Sequence, residues 1–112
     1  MIYLASPYSH PDALVREQRF QNACRAAAEL MRICQIVYSP VAHSHSIALH
    51  GVPTEWSYWE RADRRLLEIS DEVVVLTLDG WRESEGVQRE IQIAEELRKP
   101  VTFLEESESC SD

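Results

Sequence analysis

The chain has 112 residues, of which 45% are hydrophobic and 27% charged, so one globular domain is expected and wholesale disorder is excluded. Its 11 basic and 19 acidic residues give a net charge of −8, which argues against a general nucleic-acid binder and against a protein of anionic membrane surfaces. No apolar run suits a transmembrane helix and no signal peptide is recognised, so a cytoplasmic location with reduced cysteines is expected.

Strand and helix signals alternate along the first half of the chain. The apolar residues 2–5 predict a buried strand, and Pro11 opens a helix that extends to about residue 33. The apolar face of this helix, at spacings of three and four, is predicted to comprise Phe20, Cys24, Ala27, Met31 and Cys34. Residues 36–38 predict a second strand, and residues 41–53, rich in histidine and serine, predict a loop.

The second half continues this alternation. Thr54 can cap one helix and Ser84 another. Their predicted apolar faces are Trp59, Ala62, Leu66, Leu67 and Ile69 in the first, and Val87, Ile91, Ala94 and Leu97 in the second. Residues 72–78 contain a continuous apolar run, which predicts a strand covered on both faces as in a parallel sheet. Residues 101–104 predict a final strand, and residues 105–112 an acidic, flexible tail.

This order of elements predicts the fold. Alternating strands and helices are typical of a three-layer α/β/α sandwich with a mostly parallel four- or five-stranded sheet, of flavodoxin-like or Rossmann-like type. We expect a single such domain over residues 1–104. Because ligands of these sheets bind beyond the carboxyl ends of the strands, the stretches 6–10, 39–53 and 79–86 are the predicted site.

Glu90 breaks the apolar pattern of the last predicted helix. It lies three residues after Val87 and four before Ala94, so its side chain is predicted close to the buried face. The nearby helix start favours a carboxylate in its charged form, and a partly buried, ionised carboxylate is what a nucleophile at carbon requires. The alternative is that Glu90 lies at the edge of this face and extends to solvent.

Asp63 breaks the pattern of the preceding helix in the same way. It lies four residues from both Trp59 and Leu67 and shares their face. Desolvation there would raise the pKa of Asp63, which suits a proton donor. The alternative is a salt bridge to one of three nearby arginines, Arg61, Arg64 and Arg65.

Other residues near the predicted site have ordinary alternatives. On an extended segment the H-x-H pair of His43 and His45 would direct both rings to one side, but no nearby acidic residue or cysteine completes a tetrahedral metal site. No nucleotide-binding glycine motif occurs either, so we expect neither metal nor cofactor. Trp81 follows the third strand and either packs in the core or stacks on a base. Cys24 and Cys34 are predicted to be inert packing residues.

Three motifs together resemble the nucleoside 2-deoxyribosyltransferase superfamily, which includes the deoxynucleoside 5′-monophosphate N-glycosidases. The opening motif IYLASP resembles the first strand of that superfamily, often written Y-L-A-G-P. Asp63, eight residues before Asp71, matches the position of its second carboxylate, and SEGVQRE at residues 84–90 matches its S-x-G-x-x-x-E signature. The resemblance covers residues 1–104 and is strongest to a small bacterial and phage branch, through the PYS start and the stretch GWRES.

The resemblance implies cleavage of, or transfer from, the N-glycosidic bond of a ribo- or deoxyribonucleoside or its 5′-monophosphate. Glu90 would be the nucleophile at C1′, Asp63 would assist departure of the base, and Tyr3 would orient Glu90 by a hydrogen bond. The residues expected to contact the substrate are Ser6, Pro7, Tyr8, His45, Trp81, Ser84 and Gly86. The superfamily often completes its pocket across a subunit interface, which implies a homo-oligomer.

Two other functions remain open at this point. A catalytically silent nucleotide-binding module on the same fold would bind a ligand without releasing a base. A metal-dependent hydrolase built on His43 and His45 would lose activity to a chelator. The phosphorylation state of the substrate is open as well: Ser84 matches the monophosphate hydrolases, whereas the first turn, residues 6–10, lacks their arginine.

Overall fold

The computed structural model describes residues 1–33 and 35–106. In chain order its elements are β1 (Ile2–Ala5), α1 (Ala13–Arg32), β2 (Val37–Tyr38), α2 (Pro40–Ala48), α3 (Trp56–Ile69), β3 (Glu72–Leu76), α4 (Glu85–Glu96) and β4 (Val101–Leu104). The predicted α/β architecture is confirmed, with four strands in the sheet. Cys34, predicted on the first helix face, and residues 107–112 of the predicted tail lie outside the described residues.

The four strands form one parallel sheet in the order β2-β1-β3-β4. β1 pairs with β3 along its whole length, from Ile2 opposite Glu72 to Ala5 opposite Val75. After β1 the chain passes to one side for β2 and returns to the other side for β3. The carboxyl ends of β1 and β3 therefore flank the topological switch point, which is where ligands of such sheets bind.

Helices cover both faces of the sheet and make it a three-layer structure. Because successive side chains of a strand point to opposite faces, β1 and β3 contribute to two separate apolar clusters. One cluster joins Tyr3, Ala5, Val73 and Val75 to Leu67 of α3 and to Val87, Ile93 and Ala94 of α4; the other joins Ile2, Leu4, Val74 and Leu76 to Ala26 and Ala27 of α1. Burial on both faces explains the continuous apolar run of β3.

The loop predicted over residues 41–53 is wrong in its first part, which is helical. α2 begins at Pro40, and Ser39 is its N-cap because Ser39 Oγ accepts a hydrogen bond from the Ala42 N–H at 3.1 Å. Proline at the first helical position is preorganised for a helix and has no N–H to leave unpaired. The Ser-Pro pair therefore ends β2 and begins a helix at the same point.

The predicted apolar faces of three helices are partly wrong. The buried residues are Ala23, Ala26 and Ala27 in α1, Asp63 and Leu67 in α3, and Val87, Glu90, Ile93 and Ala94 in α4. Of the residues predicted on the apolar faces, Met31, Ile69 and Leu97 are exposed and Cys24 is half-buried. Alanines let α1 approach the sheet closely, and carboxyl groups occupy the inner faces of α3 and α4; a hydrophobicity pattern gives little weight to either kind of residue.

Of the two predicted helix caps, Ser84 is confirmed and Thr54 is wrong. Ser84 caps α4 as predicted, since its Oγ accepts a hydrogen bond from the Val87 N–H at 3.2 Å. Glu55 rather than Thr54 precedes α3, and it makes no side-chain cap. β3 ends at Leu76, two residues earlier than predicted. Among the described residues, no helix combines the length and the apolar character needed to cross a membrane.

Candidate functional site

A cavity of about 220 Å³ lies at the carboxyl ends of the strands. Its wall is formed by residues that follow β1, β2 and β3, together with α2 and the starts of α3 and α4. The predicted site residues that line it are Ser6, Tyr8, Asp63, Ser84, Gly86 and Glu90. Those that do not line it are Tyr3, Pro7, His45 and Trp81.

Glu90 is a buried residue of the cavity wall and is only 3% exposed. The Tyr3 hydroxyl donates a hydrogen bond to Glu90 Oε2 from the centre of β1. Tyr3 itself is fully buried on the sheet face that α3 and α4 cover. The alternative in which Glu90 extends to solvent is therefore wrong, because α4 directs this side chain against the sheet edge.

The predicted charge state of Glu90 is also wrong. Burial raises the pKa of Glu90 to about 8, an effect that the Tyr3 hydrogen bond reduces and the charge of Asp63 increases. The helix dipole acts mainly within the first turn, and Glu90 lies beyond the first turn of α4. Desolvation therefore outweighs the dipole, and Glu90 holds a proton more firmly than an ordinary glutamate.

Asp63 is the second buried carboxyl of the wall and is 4% exposed. Burial raises the pKa of Asp63 to about 7, the direction predicted from its neighbours on α3. The alternative of a salt bridge is wrong within the described part of the chain, where no ion pair involves Asp63. Arg64 instead pairs with Glu60, and Arg65 with Glu68.

The two carboxyls belong to helices that pack against each other over one face of the sheet. The charge of Asp63 raises the pKa of Glu90, so ionisation of one makes ionisation of the other less favourable. Burial, followed by these same two charges, also raises the pKa of Tyr38 to about 12. A pair that holds one proton near neutral pH supplies an ionised carboxylate and a carboxylic acid together, as split nucleophile and acid roles require.

Two buried polar atoms in the cavity wall have no hydrogen-bond partner within residues 1–33 and 35–106. They are Ser6 Oγ and Trp56 Nε1. Nearly all buried polar groups are hydrogen-bonded, and one left unpaired costs about 1–3 kcal/mol. Because both atoms belong to residues that line the cavity, this wall is the candidate site for a polar ligand.

Trp56 and Trp59 line the cavity at the start of α3, although Trp59 is predicted on the apolar face of that helix. Trp56 packs directly on Gly86, where an added Cβ would lie 3.0 Å from Trp56 Cδ1. Gly86 is thus needed for close approach of this indole, not only for approach of a ligand to the backbone. The sequence signal that could have placed a tryptophan in the site was Trp59, which lies one helical turn before Asp63 and on the same face.

His45 lies behind Tyr8 rather than in the cavity wall. Its Nδ1 is 2.8 Å from the Tyr8 hydroxyl, its Nε2 is 3.0 Å from Glu17 Oε1, and the Phe20 ring stacks on it at a centroid distance of 4.3 Å. A carboxylate only accepts, so in the neutral ring Nε2 carries the proton and Nδ1 accepts from Tyr8. His45 therefore positions Tyr8, which does line the cavity.

The H-x-H pair does not have the arrangement expected on an extended segment. α2 is helical, so His43 and His45 point to different sides: His45 is buried, whereas His43 is exposed beside the Tyr38 ring. Within the described ranges no three histidine, cysteine, aspartate or glutamate side chains cluster closely enough to hold a metal ion. The structural premise for a metal site in this segment is therefore wrong.

Trp81 and Pro7 also lie away from the cavity wall. The turn after β3 folds Trp81 against the cluster beneath α4, and its ring centroid lies 5.4 Å from that of Phe103. Arg82 covers the ring at 5.1 Å from its centroid. Pro7 is fully buried next to Ser6. The position of Trp81 agrees with the packing alternative rather than with stacking on a base.

Comparison with known proteins identifies the family of this chain. No curated protein matches the chain. A family described as a domain of unknown function, DUF1937, matches residues 1–106, a span that contains every strand and helix given above and the whole cavity wall. The chain therefore belongs to the DUF1937 family.

Proposed function

We propose that this protein cleaves, or transfers from, the N-glycosidic bond of a nucleoside-type substrate. The observation that carries the proposal is the pair of buried carboxyls, Glu90 and Asp63, in the wall of one cavity. The resemblance of three sequence motifs to the nucleoside 2-deoxyribosyltransferase superfamily supports it. In this proposal Glu90 is the nucleophile, Asp63 is the acid that assists the leaving base, and Tyr3 orients Glu90.

The reaction would proceed in two displacements. Because the pKa of Glu90 lies above that of Asp63, the attack uses the form of the pair in which the shared proton has passed from Glu90 to Asp63. The Tyr3 hydroxyl holds Glu90 Oε2, which leaves Oε1 of the ionised Glu90 to attack C1′ of the sugar. The new C1′–O bond forms as the C1′–N bond breaks, and Asp63 delivers its proton to the departing base. Asp63, now ionised, takes a proton from water or from a second base as that acceptor attacks C1′ and frees Glu90. Retaining glycosidases use a carboxyl pair in these same roles.

The rest of the cavity wall suits a nucleobase. Trp56, Trp59 and Tyr8 line it with aromatic surface, which can stack on a planar base. Ser6 Oγ and Trp56 Nε1 are the unpaired polar atoms that a polar, planar ligand would satisfy. An aromatic wall beside a pair of acids is the combination needed to hold a base while its bond to the sugar breaks.

Chromatographic detection of free base tests the proposal. Purified protein is incubated with ribo- and deoxyribonucleosides and with their 5′-monophosphates, in the presence and absence of a chelator. We expect base release that the chelator does not change. Loss of activity with the chelator and its return with metal would instead favour a metal-dependent hydrolase. Ligand binding without any base release would favour a silent binding module.

The packing of Trp56 on Gly86 gives a second prediction. In Gly86→Ala the added methyl must displace the indole, so nucleoside binding is expected to weaken by roughly threefold to tenfold. The fold should persist, because alanine is the better helix former. Tryptophan fluorescence titration measures the affinity. Gln92→Ala, on the exposed side of the same helix, is the matched control and should bind as wild type does; equal affinity in all three proteins would contradict the role of this contact.

We further propose that the protein works as a homo-oligomer, as the same resemblance implies. Multi-angle light scattering of the purified chain is then expected to give a multiple of 12.9 kDa. A measured mass of one chain at the concentrations used for activity would contradict this assembly.

A further inference from the structure

The charged side chains of the cavity wall are all acidic. Five carboxyl side chains line it, and no lysine, arginine or histidine is among the described residues of the wall. The five are Glu55, Asp63, Glu83, Glu85 and Glu90. Glu55, Glu83 and Glu85 are exposed and form the acidic rim of the cavity, whereas the other two are buried. A phosphate group at this rim would meet like charge from several directions.

Three arginines that contact residues of the cavity wall have partners of their own. Arg89 lies over the Trp56 ring at 5.6 Å from its centroid, with its guanidinium 3.8 Å from the Glu60 carboxylate. Arg19 donates to the Ser9 carbonyl at 2.9 Å and to the Asp79 carbonyl at 3.3 Å. Arg16 lies beside Tyr8 but donates to the backbone carbonyls of residues 10 and 11. None of these three arginines belongs to the cavity wall.

The start of α4 is the usual place for an anion in such a fold, and here it is already engaged. Ser84 Oγ accepts the Val87 N–H, and Glu85 places a carboxylate in the first turn. A carboxylate at this position offsets the positive end of the helix dipole. These two interactions make the helix start less favourable for a second anion.

Two residues of the cavity wall, by contrast, carry neutral hydrogen-bonding groups without partners. Ser6 is 6% exposed and its Oγ, which can donate or accept, has no partner in the described structure; Trp56 Nε1 can only donate and is likewise unpaired. Both suit the hydroxyl groups, ring nitrogens and carbonyl oxygens of an uncharged ligand. These unpaired atoms are independent of the acidic rim, and they point to a polar ligand in the cavity.

We infer that the cavity takes the uncharged nucleoside and that its acidic rim rejects the corresponding 5′-monophosphate. This inference rests on the proposed function for the identity of the ligand as a nucleoside. It assigns a specificity role to Glu83 and Glu85, which act on the charge that the substrate carries and not on the bond that breaks. It also favours a nucleoside enzyme over a monophosphate hydrolase despite the presence of Ser84.

Equilibrium binding tests the inference independently of turnover. The protein titrated is the Glu90→Gln variant, which is expected to keep the fold and to release no base during the titration. The four common 2′-deoxynucleosides are titrated, each beside its own 5′-monophosphate, by calorimetry at low salt. At least one nucleoside is expected to bind at least about tenfold more tightly than its monophosphate, and the gap should narrow as salt screens the rim. The inference would be overturned if every monophosphate bound as tightly as its nucleoside or more tightly. It would also be overturned if none of the four nucleosides bound.

Variants that replace carboxylates by amides show which residues discriminate between the nucleoside and its monophosphate. The double variant Glu83→Gln/Glu85→Gln is expected to reduce the difference in affinity between nucleoside and monophosphate severalfold. Glu95→Gln/Glu96→Gln makes the same change in net charge at the other end of α4 and should leave the gap unchanged. An equal effect of both double variants would overturn the role of the rim. Nucleoside binding without base release by the wild-type protein would contradict the proposed function alone, whereas equal cleavage of both substrate classes would contradict this inference alone.

Discussion

The Glu90→Gln variant is expected to lose base release by at least about a thousandfold, because the amide cannot form the ester at C1′. The side chain keeps its size, and its amide oxygen can still accept the hydrogen bond from the Tyr3 hydroxyl. The chromatographic assay that tests the proposed function measures the loss. Glu96→Gln, exposed on the same helix, is the control that should retain full turnover.

The same substitution is expected to preserve the fold and to stabilise it at alkaline pH. Burial raises the pKa of Asp63 to about 7 and that of Glu90 to about 8, so the folded protein holds protons that the unfolded chain releases. The stability that these groups contribute is complete below about pH 4 and is lost as the pH rises towards these values. Thermal unfolding of wild type and Glu90→Gln should therefore diverge with increasing pH. A destabilised variant without turnover would leave Glu90 as a structural residue.

The Asp63→Asn variant is expected to lower kcat/KM by about a hundredfold to ten-thousandfold, the usual contribution of a general acid. It should also change the pH profile. For wild type, a plot of kcat/KM against pH is expected to be bell-shaped, with its maximum between the two pKa values, because activity needs one proton in the pair. The acid limb reports protonation of the ionised carboxylate. The alkaline limb reports deprotonation of the acid.

In Asp63→Asn the alkaline limb should disappear, since asparagine has no proton to lose. The remaining acid limb should report Glu90 alone, with a pKa below about 8, because the charge of Asp63 that raises it has been removed. Glu68→Gln, an exposed change on the same helix, should keep the wild-type profile. An unchanged bell in Asp63→Asn would show that another residue is the acid, and a loss of rate with no change in either limb would assign Asp63 a positioning role.

The fold was largely predictable because its signals are local. The apolar runs of β1 and β4 were predicted with their observed bounds, and the alternation of elements led to the parallel sheet. α2 was missed because Ser39-Pro40 signals a strand end and a helix start equally well. The helix faces were misplaced because alanines and buried carboxyls carry little weight in a hydrophobicity pattern, although both lie inside here.

The candidate site was predictable only in part. Glu90 and Asp63 could be singled out because each interrupts an apolar face, but the charge state of Glu90 depends on its depth of burial, which is a tertiary property. Trp56 was missed because a tryptophan in a helix is usually core, and nothing local reveals that Gly86 receives its ring. His45 was placed in the site, whereas the packing of α2 beside α1 sets it behind Tyr8.

The stereochemistry at C1′ tests the central claim, a covalent step at Glu90, most directly. With methanol added as an acceptor, the enzyme would form a methyl glycoside, which cannot interconvert its anomers in solution as the free sugar does. Two displacements predict retention, so a β-nucleoside should give the β-methyl glycoside, identified by proton NMR. The α-anomer would show a single displacement by the acceptor and would contradict Glu90 as the nucleophile.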